Sequence, residues 1–235
     1  MNKILITLAG LLACVQMNAN IYNVKDFGAK ADGRTIDSPA INKAIDEAAR
    51  NGGGTVVVPA GEYTCYSIRL QSHICLMLEN GAKIIAAYPE EHEGFDAPEE
   101  NPGIEGFQDF GHSHWKNSLI WGIDLEDVTI CGSGLIYGKG LTREESHIPG
   151  VGNKAISLKN CNRVTIKDIS ILHGGHFALL ATGIENLSLL NIKVDTNRDG
   201  FDIDCCRNVR VSDCTVNAPW DDAIVLKASY ALGRF

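Results

Sequence analysis

At 235 residues, 45% of them hydrophobic and 21% charged, the chain has a globular make-up with enough apolar material for one sizeable core, which excludes a disordered chain and a coiled coil. Its formal net charge of -8 and the absence of any basic run argue against nucleic acid as a partner, because that binding rests on Lys and Arg neutralising phosphates. Net charge says little about a polysaccharide partner, since it bears on solubility and association rather than on site chemistry.

Residues 1–19, MNKILITLAGLLACVQMNA, have a basic start at Lys3, an apolar run from Ile4 to Val15 and a small residue, Ala19, before Asn20, the pattern of an export signal. The run is shorter than the roughly 20 apolar residues that span a bilayer, so no transmembrane segment is expected. The mature chain, 20–235, is expected to be secreted or periplasmic. Leu11 to Cys14 resembles a lipoprotein box, which makes lipid anchoring at Cys14 the alternative to cleavage near Ala19. The seven remaining cysteines show no CxxC spacing and read as buried small hydrophobes, with a Cys65 to Cys75 disulfide as the other reading. His112 and His114 form an HxH without clustered thiol or acidic partners, so neither a metal nor a cofactor is expected.

One amphipathic helix is predicted over 38–50. Asp37 stands at the N-cap and Pro39 in the first turn, Ala40, Ile41, Ala44, Ile45 and Ala48 recur at helical spacing, and Gly52 to Gly54 end the pattern. Short β-rich runs follow at Thr55–Val58, Tyr63–Leu70, Ile74–Leu78 and Ile84–Ala87, punctuated by Gly, Pro and Asn. Pro89 to Trp115, rich in Glu, Gly and Pro, reads as a long surface loop.

An internal repeat then emerges. VTICGSGL (128–135), VTIKDISI (164–171), LSLLNIKV (187–194) and VRVSDCTV (209–216) share apolar or Cys positions one, three, six and eight, apart from Ser133, with starts 36, 23 and 22 residues apart. Ile156, Leu179, Phe201 and Ile224 keep a parallel register of 23, 22 and 23. A period of that length without helices fits the coil of a parallel β-helix, each strand lying about 4.8 Å above its predecessor. The 36-residue step is one coil plus an insertion, YGKGLTREESHIPGVGN. The early helix then caps the first coil. An antiparallel sandwich is the alternative, although its strands need keep no fixed long period.

That register places Asp199 of DTNRDGFDIDCC beneath Asp222 of PWDDAIVLK, with Asp221 adjacent and Pro219 upstream to bend the backbone. Carboxylates so close cannot all ionise at ordinary cost, so at least one must hold its proton near neutral pH and can serve as a general acid. Paired carboxylates of opposite protonation are the machinery of glycosidic hydrolysis. Turn capping by Asp and a calcium site are the competing readings of the same residues.

YNVKDFGAKADGRTIDSPAINKAIDEA with GGGTVVVPAGEY resembles the opening of pectin-acting β-helix enzymes. NRDGFDI, CRNVRVSDCTV and DDAIVLKAS are similar to the Asn-Thr-Asp and Asp-Asp motifs of glycoside hydrolase family 28, the polygalacturonases, and the likeness covers 21–229. The resemblance implies an all-β, right-handed parallel β-helix of the pectin-lyase-like type that acts on a galacturonan-type pectic polysaccharide. It further implies Asp221 as general acid, Asp199 and Asp222 as the pair that deprotonates water with inversion, and Asn197 as a site neighbour. Arg198 departs from the usual Thr. Arg198 and Lys227 read either as contacts for an anionic sugar or as charge partners of the aspartates.

The family's Gly-His-Gly and Arg-x-Lys motifs, the latter implied to bind substrate carboxylates, do not follow Asp222. The expectation is therefore a C-terminally incomplete and weakly active member. A calcium-dependent lyase of the same fold and a non-catalytic carbohydrate-binding solenoid are the alternative functions.

Overall fold

The computed structural model describes residues 20–90, 93–100, 110–145 and 148–234. Residues 1–19, read above as an export signal and including Cys14, lie outside them. Among the described residues, three parallel sheets run the length of the molecule, and each coil after the first adds one strand to each in chain order, the first coil supplying only the first two sheets before the helix. The first sheet holds Ile21–Asn23, Gly54–Val58, Ile74–Leu78, Glu126–Gly132, Asn162–Lys167, Glu185–Leu190 and Arg207–Ser212. The second holds Asp32–Ile36, Gly61–Cys65, Ala82–Ala86, Leu135–Tyr137, Ser170–Leu172, Lys193–Asp195 and Thr215–Asn217. The third holds Ile68–Arg69, Ser118–Ile123, Lys154–Lys159, Phe177–Thr182, Asp199–Asp204 and Ile224–Lys227. This is a parallel β-helix, as the period indicates.

The long-period ladder is physical. Ile68, Ile120, Ile156, Leu179, Phe201 and Ile224 stand in register on consecutive strands of the third sheet. All but Ile224 are buried in the central core. Val128, Val164, Leu187 and Val209 form the matching ladder in the first sheet. In the second sheet Ile136, not Leu135, pairs with Ile171, because the turn through Gly132 and Gly134 carries one more residue than its successors. The four-segment alignment is therefore one residue out at its first member.

Turns obey the same period. Left-handed backbone recurs at Asp124, Asn160, Gly183 and Cys205, and again at Asp127, Arg163, Asn186 and Asn208. Three of these eight are Asn, two Asp and one Gly, the types that adopt positive φ most readily. Stacked amides reinforce them: the Asn208 amide donates to Asn186 (3.2 Å), and that of Asn186 to Asn162 (3.0 Å).

Helix Ser38–Arg50 covers the first coils with Ile41, Ala44, Ile45 and Ala48 buried. Its Asn42 amide donates to the Ser67 carbonyl (2.9 Å), and its oxygen accepts from Arg69 N–H (2.8 Å). Asp37 does not cap it by side chain. Its carboxylate instead accepts from the backbone of Lys30 (2.6 Å) and Ala31 (2.9 Å), tying the preceding loop.

Two other expectations are corrected. Tyr63–Leu70 is not one strand but two, because the coil turns a corner at Tyr66 and Ser67. Cys65 does not approach Cys75: Cys65 is in the core, Cys75 has its sulfur 3.5 Å from Cys131, and all seven described cysteines are free.

Leu179 sits 1% exposed between Ile156 and Phe201. Leu179→Ala should lower unfolding free energy by about 2–5 kcal/mol, because close-packed neighbours on both coils cannot collapse into the space. Urea unfolding followed by circular dichroism reads the change.

Candidate active site

The acids converge where the chain enters the third sheet. Thr196 is buried, and its hydroxyl accepts from Gly174 N–H of the coil before (3.0 Å), so the turn that carries Asn197 and Arg198 is held to its neighbour. Asp199 begins its strand in register with Phe177 and is 6% exposed. On the next coil, Gly200 and Phe201 N–H groups donate to the carbonyls of Asp222 (2.9 Å) and Ala223 (3.0 Å). The backbone N–H of Asp222 lies 3.3 Å from Asp199 Oδ1 and 3.1 Å from Asp221 Oδ1.

The structure thus brings Asp199 and Asp221 together, whereas Asp222 joins them through its backbone. The Asp222 carboxylate is exposed, without a hydrogen bond to another described residue. Arg198 pairs with Asp221 (Nη2 to Oδ2, 3.0 Å), and Lys227 Nζ lies 3.5 Å from Asp202 Oδ1. Both cations are charge partners of the acids. Asn197 lies on the adjoining turn and lines a neighbouring cleft.

Asp202, not singled out from the sequence, and His112, read there as half of an HxH without acidic partners but in fact beside two of the acids, complete the cluster. Asp202 is fully buried on the outer face of the third sheet, in the row Trp121, Ser157, Leu180, Asp202 and Val225. Its Oδ1 lies 3.4 Å from His112 Nε2, and neither of its oxygens makes a hydrogen bond of ordinary geometry.

His112 comes from the long segment read as a surface loop, and here that reading is corrected. Residues 110–117 lie over the outer face of the sheet, with a short helix at Phe110–Ser113. Trp115 is 1% exposed, its indole N–H donates to Thr182 Oγ1 (3.1 Å), and its carbonyl accepts from Ser157 Oγ (2.9 Å). The His112 ring meets the Phe177 edge at 4.6 Å. The flap's earlier part is anchored too, where Asp96 accepts from Arg69 Nε and Trp121 Nε1, both at 2.8 Å. A long acidic and Gly-rich stretch carries no periodicity that could have announced this docking.

Other acids of the same stretch are structural. Asp204 accepts from Ser229 N–H (2.8 Å) and from its hydroxyl, and Asp195 accepts from the Asn217 amide (3.0 Å).

Electrostatics separate the clustered carboxyls. Burial, then the adjacent Asp202 and Asp221 carboxyls, push Asp199 up to about 8. Burial works the same way on Asp202, but the His112 ring, the Asp199 carboxyl and the Lys227 ammonium overcome it and hold Asp202 below the usual carboxylate range. The cluster therefore keeps one proton at neutral pH, carried chiefly by Asp199. His176, the other neighbour of Phe177, is driven down to about 4 by burial and by the nearby Arg198 and Lys154. Its Nδ1 is 2.8 Å from the Arg143 carbonyl, which can only accept, so this neutral ring carries its proton there. His112, Asp199 and Asp202 also offer ligand atoms all within 4.8 Å of one another, a set with cation-ligand spacing.

With this geometry in view, comparison with known proteins is informative. Residues 113–232 match the family described as right-handed β-helix region, just over half of the chain. The chain belongs to the right-handed β-helix family. Residues 21–77 of this β-helix protein also match the family described as rhamnogalacturonase A/epimerase, pectate lyase-like. A probable polygalacturonase of Vitis vinifera is 26% identical over 93% of this chain and 46% of its own length. A mannuronan C5-epimerase of Azotobacter vinelandii is 47% identical over 73 residues, 31% of this chain and 4% of the epimerase. The hyperthermoactive exopolygalacturonase of Thermotoga maritima superposes with a TM-score of 0.71 at 21% identity, over 91% of this chain and 56% of that one. The polygalacturonase likeness first carried by the acidic motifs thus extends over nearly the whole β-helix, while the chain spans under half the length of these curated relatives.

Asp199 supplies a stability test with a definite sign. Its carboxyl titrates near 3.8 when unfolded and near 8 when folded. Between those values the native state binds the extra proton, so this group's contribution falls as pH rises through the window. Asp199→Asn should remove that slope, leaving the variant more stable relative to wild type at pH 8 than at pH 4. Denaturant unfolding across that range measures it.

Proposed function

We propose that this protein hydrolyses glycosidic bonds of a galacturonan-type pectic polysaccharide by polygalacturonase chemistry, and that it acts outside the cytoplasm. The observation that carries the proposal is the contact of Asp199 with Asp221 and Asp202, a carboxyl cluster that retains a proton beside Arg198 and Lys227. The likeness to polygalacturonases supplies the substrate class.

In the resting cluster that proton sits chiefly on Asp199, which is in contact with Asp221 and passes it across when substrate binds. Asp221, at the more open edge, delivers it to the glycosidic oxygen as the bond from that oxygen to the anomeric carbon breaks. Asp199, now ionised, and Asp222 take a proton from the water whose oxygen bonds to the same carbon. One product gains the hydrogen and the other the hydroxyl, and the cluster regains its starting protonation. Arg198 limits the charge on Asp221, and Lys227 and His112 limit that on Asp202.

Family likeness implies inversion. Inverting pairs typically leave roughly 6.5–9.5 Å between their carboxyls for water. Asp199 and Asp221 are in contact, so the attacking water enters beside the pair, on the Asp222 side, rather than between its members.

Asp221→Asn should reduce turnover of polygalacturonate by about 10²- to 10⁴-fold, the usual worth of a positioned acid or base, with an unchanged circular dichroism spectrum. Reducing-end release gives the rate, and proton NMR of the first-formed product gives the anomer. An unsaturated product absorbing in the ultraviolet, with loss of activity in chelator, would assign the chain to lyase chemistry instead.

A further inference from the structure

Beside the acids lies a second cleft of about 320 Å3. That is near the lower end of the roughly 300–1,000 Å3 range of small-molecule sites. Tyr88, Tyr137, Lys139, Arg143, His173 and Asn197 line it. None of its lining residues is acidic, although the whole chain carries a net charge of -8. Lys139 and Arg143 have no carboxylate partner among the described residues. The larger cleft beside the capping helix differs: Lys43, Arg50 and Arg69 share it with Asp46, Glu93 and Asp96, and Arg69 is already paired with Asp96.

The cleft is shaped by close approach of successive coils. A Cβ on Gly138 would lie 1.9 Å from the His173 carbonyl oxygen, and one on Gly175 would lie 2.6 Å from that of Asn153. Glycine at both positions keeps the floor low. Tyr137 and His173 rings stand 5.7 Å apart on consecutive coils, and Lys139 Nζ lies 5.9 Å from the Tyr88 centroid. Aromatic faces with a few placed polar groups suit a sugar ring.

The basic wall is tied to the catalytic cluster. The Arg143 carbonyl accepts from His176, whose ring packs on Phe177, and Phe177 is in register with Asp199. Asn197, on the opposite wall, is two residues from Asp199, at most about 7 Å along the chain.

We propose that this cleft is a uronate subsite, in which Lys139 and Arg143 bind the carboxylate of a hexuronate ring seated against Tyr88 and Tyr137, one or two sugars from the bond held at Asp199 and Asp221. The assignment rests on the glycosidase reading above and names the acidic sugar it selects. An ion-paired carboxylate gains from charge-assisted bonds that its methyl ester cannot make.

Binding of digalacturonate and of its methyl ester can be measured by calorimetry on the full chain bearing Asp222→Asn, which slows cleavage while leaving Arg198 paired with Asp221. The acid should bind at least about tenfold more tightly than the ester, and adding Lys139→Ala with Arg143→Ala should bring it down to the ester's affinity. Both side chains are exposed, and an unchanged melting temperature certifies the fold. Lys139→Gln alone gives a milder check, expected to lose part of the preference. Equal affinity for acid and ester, no measurable binding of the acid, or undiminished binding by the double variant each overturns the subsite. A preference for the acid in a chain that cleaves no polysaccharide keeps the subsite while refuting hydrolysis, so the two failures are distinguishable.

Discussion

Vertical registry is the constraint on which the molecule depends. A parallel ladder fixes which residue of one coil stands over which residue of the next, and at Gly200 and Phe201 it does so through hydrogen bonds to Asp222 and Ala223. Phe201, beneath Ile224 in the apolar ladder, cannot shift by one residue without turning its ring from the core to the outer face. The hydrophobic interior thereby holds acids against their mutual repulsion. Asp199 and Asp221 meet because Leu179, Phe201 and Ile224 are stacked, and the cost of gathering them appears as the proton that Asp199 retains.

Burial then differentiates groups that the sequence presents as equivalent. Asp195, Asp199, Asp202 and Asp204 fall within ten residues, yet Asp195 and Asp204 end in amide and serine hydrogen bonds while Asp199 and Asp202 share a desolvated corner. What sets the corner apart is the flap through Trp115, which roofs the outer face of the third sheet and brings His112 against Asp202. Without that roof, Asp202 would be an outward residue on an open strand. With it, a buried carboxylate faces the Lys227 ammonium and the His112 ring instead of water.

Much of this was legible from residue order. The spacing of Ile156, Leu179, Phe201 and Ile224 encodes the coil, and counting along it places Asp199 beneath Asp222 without coordinates. The capping helix was equally plain, because its apolar face repeats every three to four residues. Other features were hidden for physical reasons. Periodicity assigns Asp202 to the outer face but cannot say that another segment covers it, and the covering segment has no pattern of its own. The slip at Gly132 is invisible too, since Leu135 and Ile136 are both apolar and either could fill the inner position. Asp37 shows a local rule overridden: its carboxylate serves the loop before the helix because the Lys30 and Ala31 N–H groups face it.

An acidic chain that is to cleave an acidic polymer faces repulsion at long range and again at the cluster itself. Screening weakens the long-range part beyond about 8–10 Å at physiological ionic strength, so what remains to be offset is local. The solenoid provides the offset at coil-by-coil spacing: Lys154, His176, Arg198 and the Asp221–Asp222 doublet occupy successive coils at the entrance to the third sheet. Neutral His176 is the transition point, its proton given to the Arg143 carbonyl so that it adds no charge of its own. Lys139 and Arg143 thus lie on one side of it, and the carboxyls with their partner Arg198 on the other. A substrate carboxylate can be held next to a catalytic carboxyl only if such a division exists, because the same cation cannot both neutralise Asp221 and bind a sugar at full strength. Arg198 is committed to the first task by its 3.0 Å contact, which leaves the second to Lys139 and Arg143, which have no carboxylate partner among the described residues.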